Sequence, residues 1–186
     1  VGDLAPKTLK YFHDDSWEVG SPNWTVGFRE EFQQRRGYDM LRYLPALAGK
    51  IVDGREVTNR FLRDFRQTIG DCIAENHYAR FRDLSRQHGM GIHSESGGPF
   101  WPFIDAMRCL SMDEIPMGEV WYPDGAHGFS IKQIASTAHV YGKPYCQAET
   151  YTSIGPHWQE GPAEIKPIAD YAFCLGLTRI VNHTLT

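Results

Sequence analysis

The chain has 186 residues, a formal net charge of -4 and 41% hydrophobic side chains. Such a length supports one domain with a sizeable core. The acidic balance offers no basic face for nucleic acid, and no apolar run reaches the length of a membrane span, so neither partner is expected.

In chain order, the first predicted element is a strand from about Leu9 to Trp17, broken by Glu18, Gly20 and Pro22. A helix is predicted over Asn23 to Arg36, with Gly37 as its stop. YDMLRYLPALAGKIVDG reads as a short helix and a loop, because Pro45 and Gly49 interrupt it. Val57, Phe61, Phe65, Ile69, Cys72, Ile73 and Phe81 then recur at helical spacing, which predicts one long helix over Glu56 to His88 ended by Gly89. MGIHSE is a second strand, PFWPFIDAMRCLSM a loop and short helix, and MGEVW a third strand. Phe129 to Tyr141 is amphipathic and capped by Gly142, and KPYCQAE is a fourth strand. GPAEIKPIADYAFCLGL is a helix expected to break near Pro167, and TRIVNHTL closes as a fifth strand.

Strict alternation of strand and helix favours a parallel sheet with right-handed crossovers. A doubly wound nucleotide-binding sheet would also alternate, but no Gly-rich phosphate loop follows the first strand. Glu18, Glu95, Glu119 and Glu149 each end a strand-like run. In a (β/α)8 barrel all strand C-termini open on one face, which would gather these carboxylates. The expected fold is therefore α/β, a partial (β/α)8 TIM barrel with parallel strands and outer helices. A full barrel needs eight strands and about 250 residues. Residues 1–186 are thus expected to be a single domain, the C-terminal part of a barrel belonging to a larger protein.

Trp17 and Trp121 lie beside the carboxylates, where a sugar needs an aromatic face, and Trp101 and Trp158 are further candidate platforms. His93 stands two residues before Glu95, so the two share a strand face. His183, at a strand end, is a candidate sugar contact, whereas His139 lies on a helix and reads as a core or interface residue. No compact zinc-ligand spacing is present. Asp14 and Asp15 point to opposite faces, so one of them can reach the site, although a structural role is the favoured reading. Cys72, Cys109, Cys146 and Cys174 have no paired spacing and read as small buried hydrophobes.

Several long phrases resemble glycoside hydrolase family 106: SWEVGSPNWTVGFREEFQQRRGYDMLRYLPALAG, FLRDFRQTIGDCIAENHYARFRDLSRQHGM, IPMGEVW, AHVYGKPYCQAETYT and DYAFCLGLTRIVNHT. The similarity runs through nearly the whole chain in order. The family consists of inverting, calcium-dependent α-L-rhamnosidases with a (β/α)8 catalytic domain. The resemblance implies that this chain supplies about strands four to eight. Its partners would be the rest of the barrel, accessory domains and a carbohydrate containing α-L-rhamnose, met in the periplasm or outside the cell. It also implies that Glu18 is the general acid, Glu149 the general base and Glu119 a calcium ligand.

Glycoside cleavage needs a proton on the leaving oxygen and a nucleophile at the anomeric carbon. Inverting enzymes hold their two carboxyls about 6.5–9.5 Å apart to admit a water, and retaining enzymes about 5–5.5 Å apart. Strands four and seven face one another across a barrel mouth, so both spacings stay open. The acid must keep its proton, and a raised pKa is expected at Glu18, against Trp17 and Trp24, while Glu149 is expected to remain ionised. No contiguous calcium loop exists, so any such site is assembled from distant positions. The rival readings are a retaining barrel glycosidase and a non-catalytic carbohydrate-binding remnant.

Overall fold

The computed structural model describes residues 2–20, 22–96, 103–122, 128–153 and 159–183. Trp101 and Trp158, two of the expected platforms, lie outside them. Five short strands alternate with helices: β1 (Tyr11–Asp14), β2 (Gly91–Ser94), β3 (Met117–Tyr122), β4 (Gln147–Ser153) and β5 (Arg179–Asn182). The helices are α1 (Phe28–Arg36), α2 (Arg55–Ile73), α3 (Arg80–Gln87), α4 (Ala106–Leu110), α5 (Gly128–Val140) and α6 (Pro162–Leu175).

Every strand pairing is parallel, as the alternation requires. The pairing is split, however: β1 joins β2, and β3, β4 and β5 form a separate sheet. The continuous five-stranded arc of a barrel wall is therefore not what pairs. The reason lies at the outer edge of β2. Its Ile92 N–H donates to the Glu114 carboxylate at 2.7 Å, and the Ser94 N–H donates to Asp113 at 2.9 Å. Side chains from the approach to β3 thus take the donors that a neighbouring strand would have used, which satisfies a buried sheet edge without a ladder.

Asp113 is buried, and burial pushes its carboxyl well above the usual carboxylate range. The folded chain then holds a proton that the unfolded chain releases above about pH 4. Stability from this group is greatest in acid and falls as pH rises. In Asp113→Asn, the decline of the thermal midpoint above about pH 4 is expected to be shallower than in the unmodified protein. An unchanged slope would show that Asp113 does not carry it.

Two apolar clusters hold the molecule. One packs α1 and α2 through Phe28, Phe32, Phe61, Phe65 and Ile69. The other seats α5 and α6 on β3 and β4 through Val120, Ile131, Ile134, Ala148 and Ala172. Asp71 of α2 accepts from both Arg36 and Arg108, tying α1 and α4 to it. The predicted long helix is continuous from Arg55 to Gln87, but its middle turn, Ala74–Ala79, is π-helical. Pro167 does not break α6. It removes one hydrogen bond in the second turn, and the apolar face of Ile168, Ala172 and Leu175 holds the helix together. Of the cysteines, Cys109 and Cys146 are buried as expected and Cys72 is half-buried, while Cys174 is exposed because its stretch of α6 faces outward. No helix among the described residues is long and apolar enough to cross a membrane.

Candidate active site

The site forms where the C-terminal ends of the two sheets meet. Glu119 and Glu149 are direct register partners on β3 and β4. Gly118 makes room for this: a Cβ there would stand 2.5 Å from Ser130 Oγ of α5. The close approach lets Ser130 Oγ accept the Glu119 N–H at 3.1 Å. Ser16, just beyond β1, links the sheets, with its Oγ 3.1 Å from Glu95 and 3.2 Å from Glu119. Glu149 lies 2.7 Å from Thr152 Oγ1, which donates to it, and 3.6 Å from His183 Nδ1. Three of the four sequence-predicted glutamates, with His183, are thereby brought together.

Backbone strain gathers at the same place. Tyr151 has φ 67° and Ser96 has φ 33°. Tyr151 is the extra residue of a bulge, since Val120 pairs with Thr150 while Trp121 pairs with Thr152. The bulge turns Thr152 back toward Glu149. Positive φ at a bulky tyrosine persists only where surrounding structure enforces it, and such strain clusters at functional sites. Trp121 follows the bulge on β3 and is half-buried.

The electrostatics centre on Glu95. It is 3% exposed. Burial and the carboxylates of Glu119, Glu149 and Asp15 push its carboxyl up to about 9. At neutral pH Glu95 therefore holds a proton. One serine hydroxyl has one proton, so Ser16 cannot donate to two carboxylates. Glu95 donates to Ser16, and Ser16 donates to Glu119. The carboxyl that burial pushes up is that of Glu95. Glu18 lies four residues past the end of β1, and its side chain is exposed, without the expected desolvation. No hydrogen bond or ion pair reaches Glu18 among the described residues.

Below the carboxylates, His93 stacks on His13 with ring centroids 4.6 Å apart. Burial, then the neighbouring His13, lowers His93 to about 4, so its ring is neutral. Gln147 Nε2 lies 3.1 Å from His93 Nδ1, and His13 Nδ1 lies 3.0 Å from it. That nitrogen is the acceptor, and the ring proton sits on Nε2.

Ligand atoms of His13, Asp15 and Glu95 all lie within 4.8 Å of one another. Glu95 Oε1 is buried without a hydrogen-bond partner. Two carboxylates with one such oxygen, beside a histidine nitrogen, are a donor set that would hold a cation in place of the Glu95 proton. Glu119, the expected ligand, borders this group through Ser16. Asp14 and Asp15 divide as the strand period requires. Asp14 takes a structural role, 2.8 Å from His77 Nε2, while Asp15 lies 3.7 Å from His13 Nε2 and belongs to the cation-capable group.

The sequence reading missed His13, Ser16 and His77. A signal for His13 was available: His-x-acid runs off the end of both β1 (His13, then Asp15) and β2 (His93, then Glu95), and the two histidines pair in register. Ser16 and His77 had no local signal, because their partners are 79 and 63 residues away.

An alpha-L-rhamnosidase family model matches residues 1–186. The solved structure of a rhamnosidase from Novosphingobium sp. PP1Y is similar with a TM-score of 0.85 and 34% identity, over 95% of this chain and 17% of that one. A relative from Formosa agariphila, provisionally named a beta-glucuronidase, is 45% identical over 99% of this chain and 16% of its own length. The chain therefore spans about one sixth of these relatives. It belongs to the alpha-L-rhamnosidase family of glycoside hydrolases.

Proposed function

We propose that this chain carries the acid/base machinery of an inverting α-L-rhamnosidase that acts outside the cytoplasm on rhamnose-containing polysaccharides or glycosides. The supporting observation is the gathering of Glu95 and Glu119 around Ser16 with Glu149 beside Glu119 on the next strand, and Thr152 and His183 orienting Glu149. Glu149 takes a proton from the attacking water. Glu18 gives its proton to the leaving oxygen, and a substrate lying over its exposed side chain excludes the water that now surrounds it. His93, His183, Trp17 and Trp121 bind the sugar. The remaining strands of the barrel and further domains come from the rest of the protein.

The residues that would hold calcium are Asp15 and Glu95, with His13 in the same group and Glu119 beside it through Ser16. When bound, the ion supplies a fixed positive charge that screens these carboxylates and can take vicinal sugar hydroxyls as ligands. Chelation is expected to lower both the thermal midpoint and turnover of the full-length protein. Calcium should restore them better than magnesium, which gives up water reluctantly. No change in either readout would remove the metal.

The mechanism is tested by proton NMR of the first product released from an α-L-rhamnoside. A first-formed anomer of opposite configuration is expected. Retained configuration would replace the inverting mechanism with a retaining one. Absence of turnover in the full-length protein would leave the non-catalytic reading.

A further inference from the structure

A groove of about 440 Å³ lies between α2 and the segment that leads into α4. None of Glu18, Glu95, Glu119 and Glu149 lines it. Its volume falls in the range of about 300–1,000 Å³ usual for small-molecule sites. Arg63, Arg66, Gln67 and Gly70 recur at helical spacing and form one wall. Phe103, Ile104 and Asp105 form the other. Gly70 sets how near the two walls come: a Cβ there would stand 2.7 Å from the Phe103 carbonyl oxygen. One end is held by ion pairs. Arg108 of α4 bonds to Asp71 and, at 2.6 Å, to Glu75, and Asp71 also takes Arg36. Asp105 caps α4 by accepting the Arg108 N–H at 3.0 Å, and its second oxygen has no donor among the described residues.

The charges of this groove do not cancel. The chain carries a formal charge of -4, yet among the described residues three arginines and two aspartates line the groove. Arg63 and Arg66 are exposed, and no hydrogen bond or ion pair reaches either among the described residues. The sequence explains why. The positions four residues from them hold Asn59, Gln67, Leu62 and Gly70, none of them acidic, and Arg60 and Arg66 flank Arg63 three residues to either side. Arg60 has Glu56 at 3.6 Å, and Arg63 and Arg66 have no such partner. Like charges at that spacing on a helix repel, and an anion held between them removes the cost. A guanidinium presents parallel N–H donors to a planar or tetrahedral oxyanion. Phe103 and Ile104 offer an apolar face beside those donors, while Gln67 and the second Asp105 oxygen can meet hydroxyls. Together these groups match a sugar ring that bears an acidic substituent.

We propose that the Arg63–Arg66–Phe103–Asp105 groove is a second carbohydrate site, which takes a sugar bearing a carboxylate or a sulfate ester. The sugar rests on the reading of this protein as a carbohydrate-cleaving enzyme, and the arginines supply the demand for negative charge. Carboxylate and sulfate share the oxyanion chemistry that the two guanidinium groups recognise.

Saturation-transfer NMR on the full-length protein at low salt tests this with methyl β-D-glucuronide, methyl β-D-glucoside 6-sulfate and methyl β-D-glucoside. One or both anionic sugars should bind about tenfold more tightly than the neutral one, as loss of a charge-assisted hydrogen bond implies, and which of them leads identifies the anion. Arg63→Gln combined with Arg66→Gln should erase that preference and leave turnover of an aryl α-L-rhamnoside unchanged. Both side chains are exposed, so the fold is not at stake. Arg66→Lys, which keeps the charge but not the fork of donors, should lose less than Arg66→Gln. Failure of either anionic sugar to bind, equal binding of the neutral glucoside, or a preference that survives the double variant would overturn the site. Equal affinity for inorganic sulfate would also overturn it, because the groove would then hold a free anion and not a sugar. None of the probes is a rhamnoside, so failure of the hydrolase reading shows separately. If no rhamnoside is hydrolysed, arginine-dependent binding of an anionic sugar still supports the groove.

Discussion

Glu149→Gln should reduce turnover of the full-length protein by about 10²–10⁴-fold, whatever the leaving group, because a general base contributes about that much. Water must be activated in every case, so an easily expelled leaving group cannot compensate. Glu18→Gln should lose as much on a sugar leaving group but far less on an activated phenol, whose oxygen departs without a proton. Steady-state kinetics on the two substrate types distinguish these roles. Far-ultraviolet circular dichroism checks that the fold persists, and both substitutions are close to isosteric. Near-unmodified rates in both variants would end the acid/base assignment. A mirrored pattern, with leaving-group sensitivity at Glu149, would exchange the two roles. The surroundings of Glu149 make its sensitivity understandable. Thr152 and His183 both stand against one oxygen, so an amide nitrogen placed there would face a donor and turn the group away.

Phe61→Ala is expected to cost about 3–5 kcal/mol of stability, the usual range for emptying a buried aromatic site. Phe61 is 1% exposed and lies 5.9 Å from Phe32, 5.5 Å from Tyr43 and 6.0 Å from Phe65, ring centroid to centroid. Truncation removes transfer energy and leaves a cavity that three rings cannot close. Whole domains are stable by only about 5–15 kcal/mol, so the urea midpoint should fall steeply or the soluble yield collapse. Phe61→Leu keeps most of the apolar area and should lose less. A small change in Phe61→Ala would mean that α1 and α2 repack freely. The same cluster supports Phe28 and Trp17, which with Trp24, Asn76 and His77 line a cleft of about 420 Å³.

Each predicted element has a counterpart, because hydrophobic period and glycine stops are local signals. Gly37, Gly89 and Gly142 all adopt the positive φ that ends their helices. Boundaries moved where a distant contact competed with a local one. β1 stops at Asp14, three residues short of Trp17, since Asp14 pairs with a helix and Ser16 with the site. The helix predicted from Asn23 starts at Phe28, and the intervening residues wall the cleft instead.

The glutamate pattern at strand ends was legible because side chains alternate along a strand and parallel strands share a polarity. Electrostatic individuality was not legible. Glu18 and Glu95 look alike on paper, yet one reaches solvent while the other is enclosed with three carboxylates. Enclosure depends on groups up to 80 residues or so away, and no short window of residues contains them. The split of the sheet was equally hidden. Asp113 and Glu114 read as turn residues, and only the packed chain shows their carboxylates taking the N–H donors of β2. The primary structure by itself determined the order of elements, the family and the stock of acidic groups. Three-dimensional packing alone decided which acid keeps its proton, which strands pair and where the cleft opens, because burial and long-range hydrogen bonding are properties of neighbours in space.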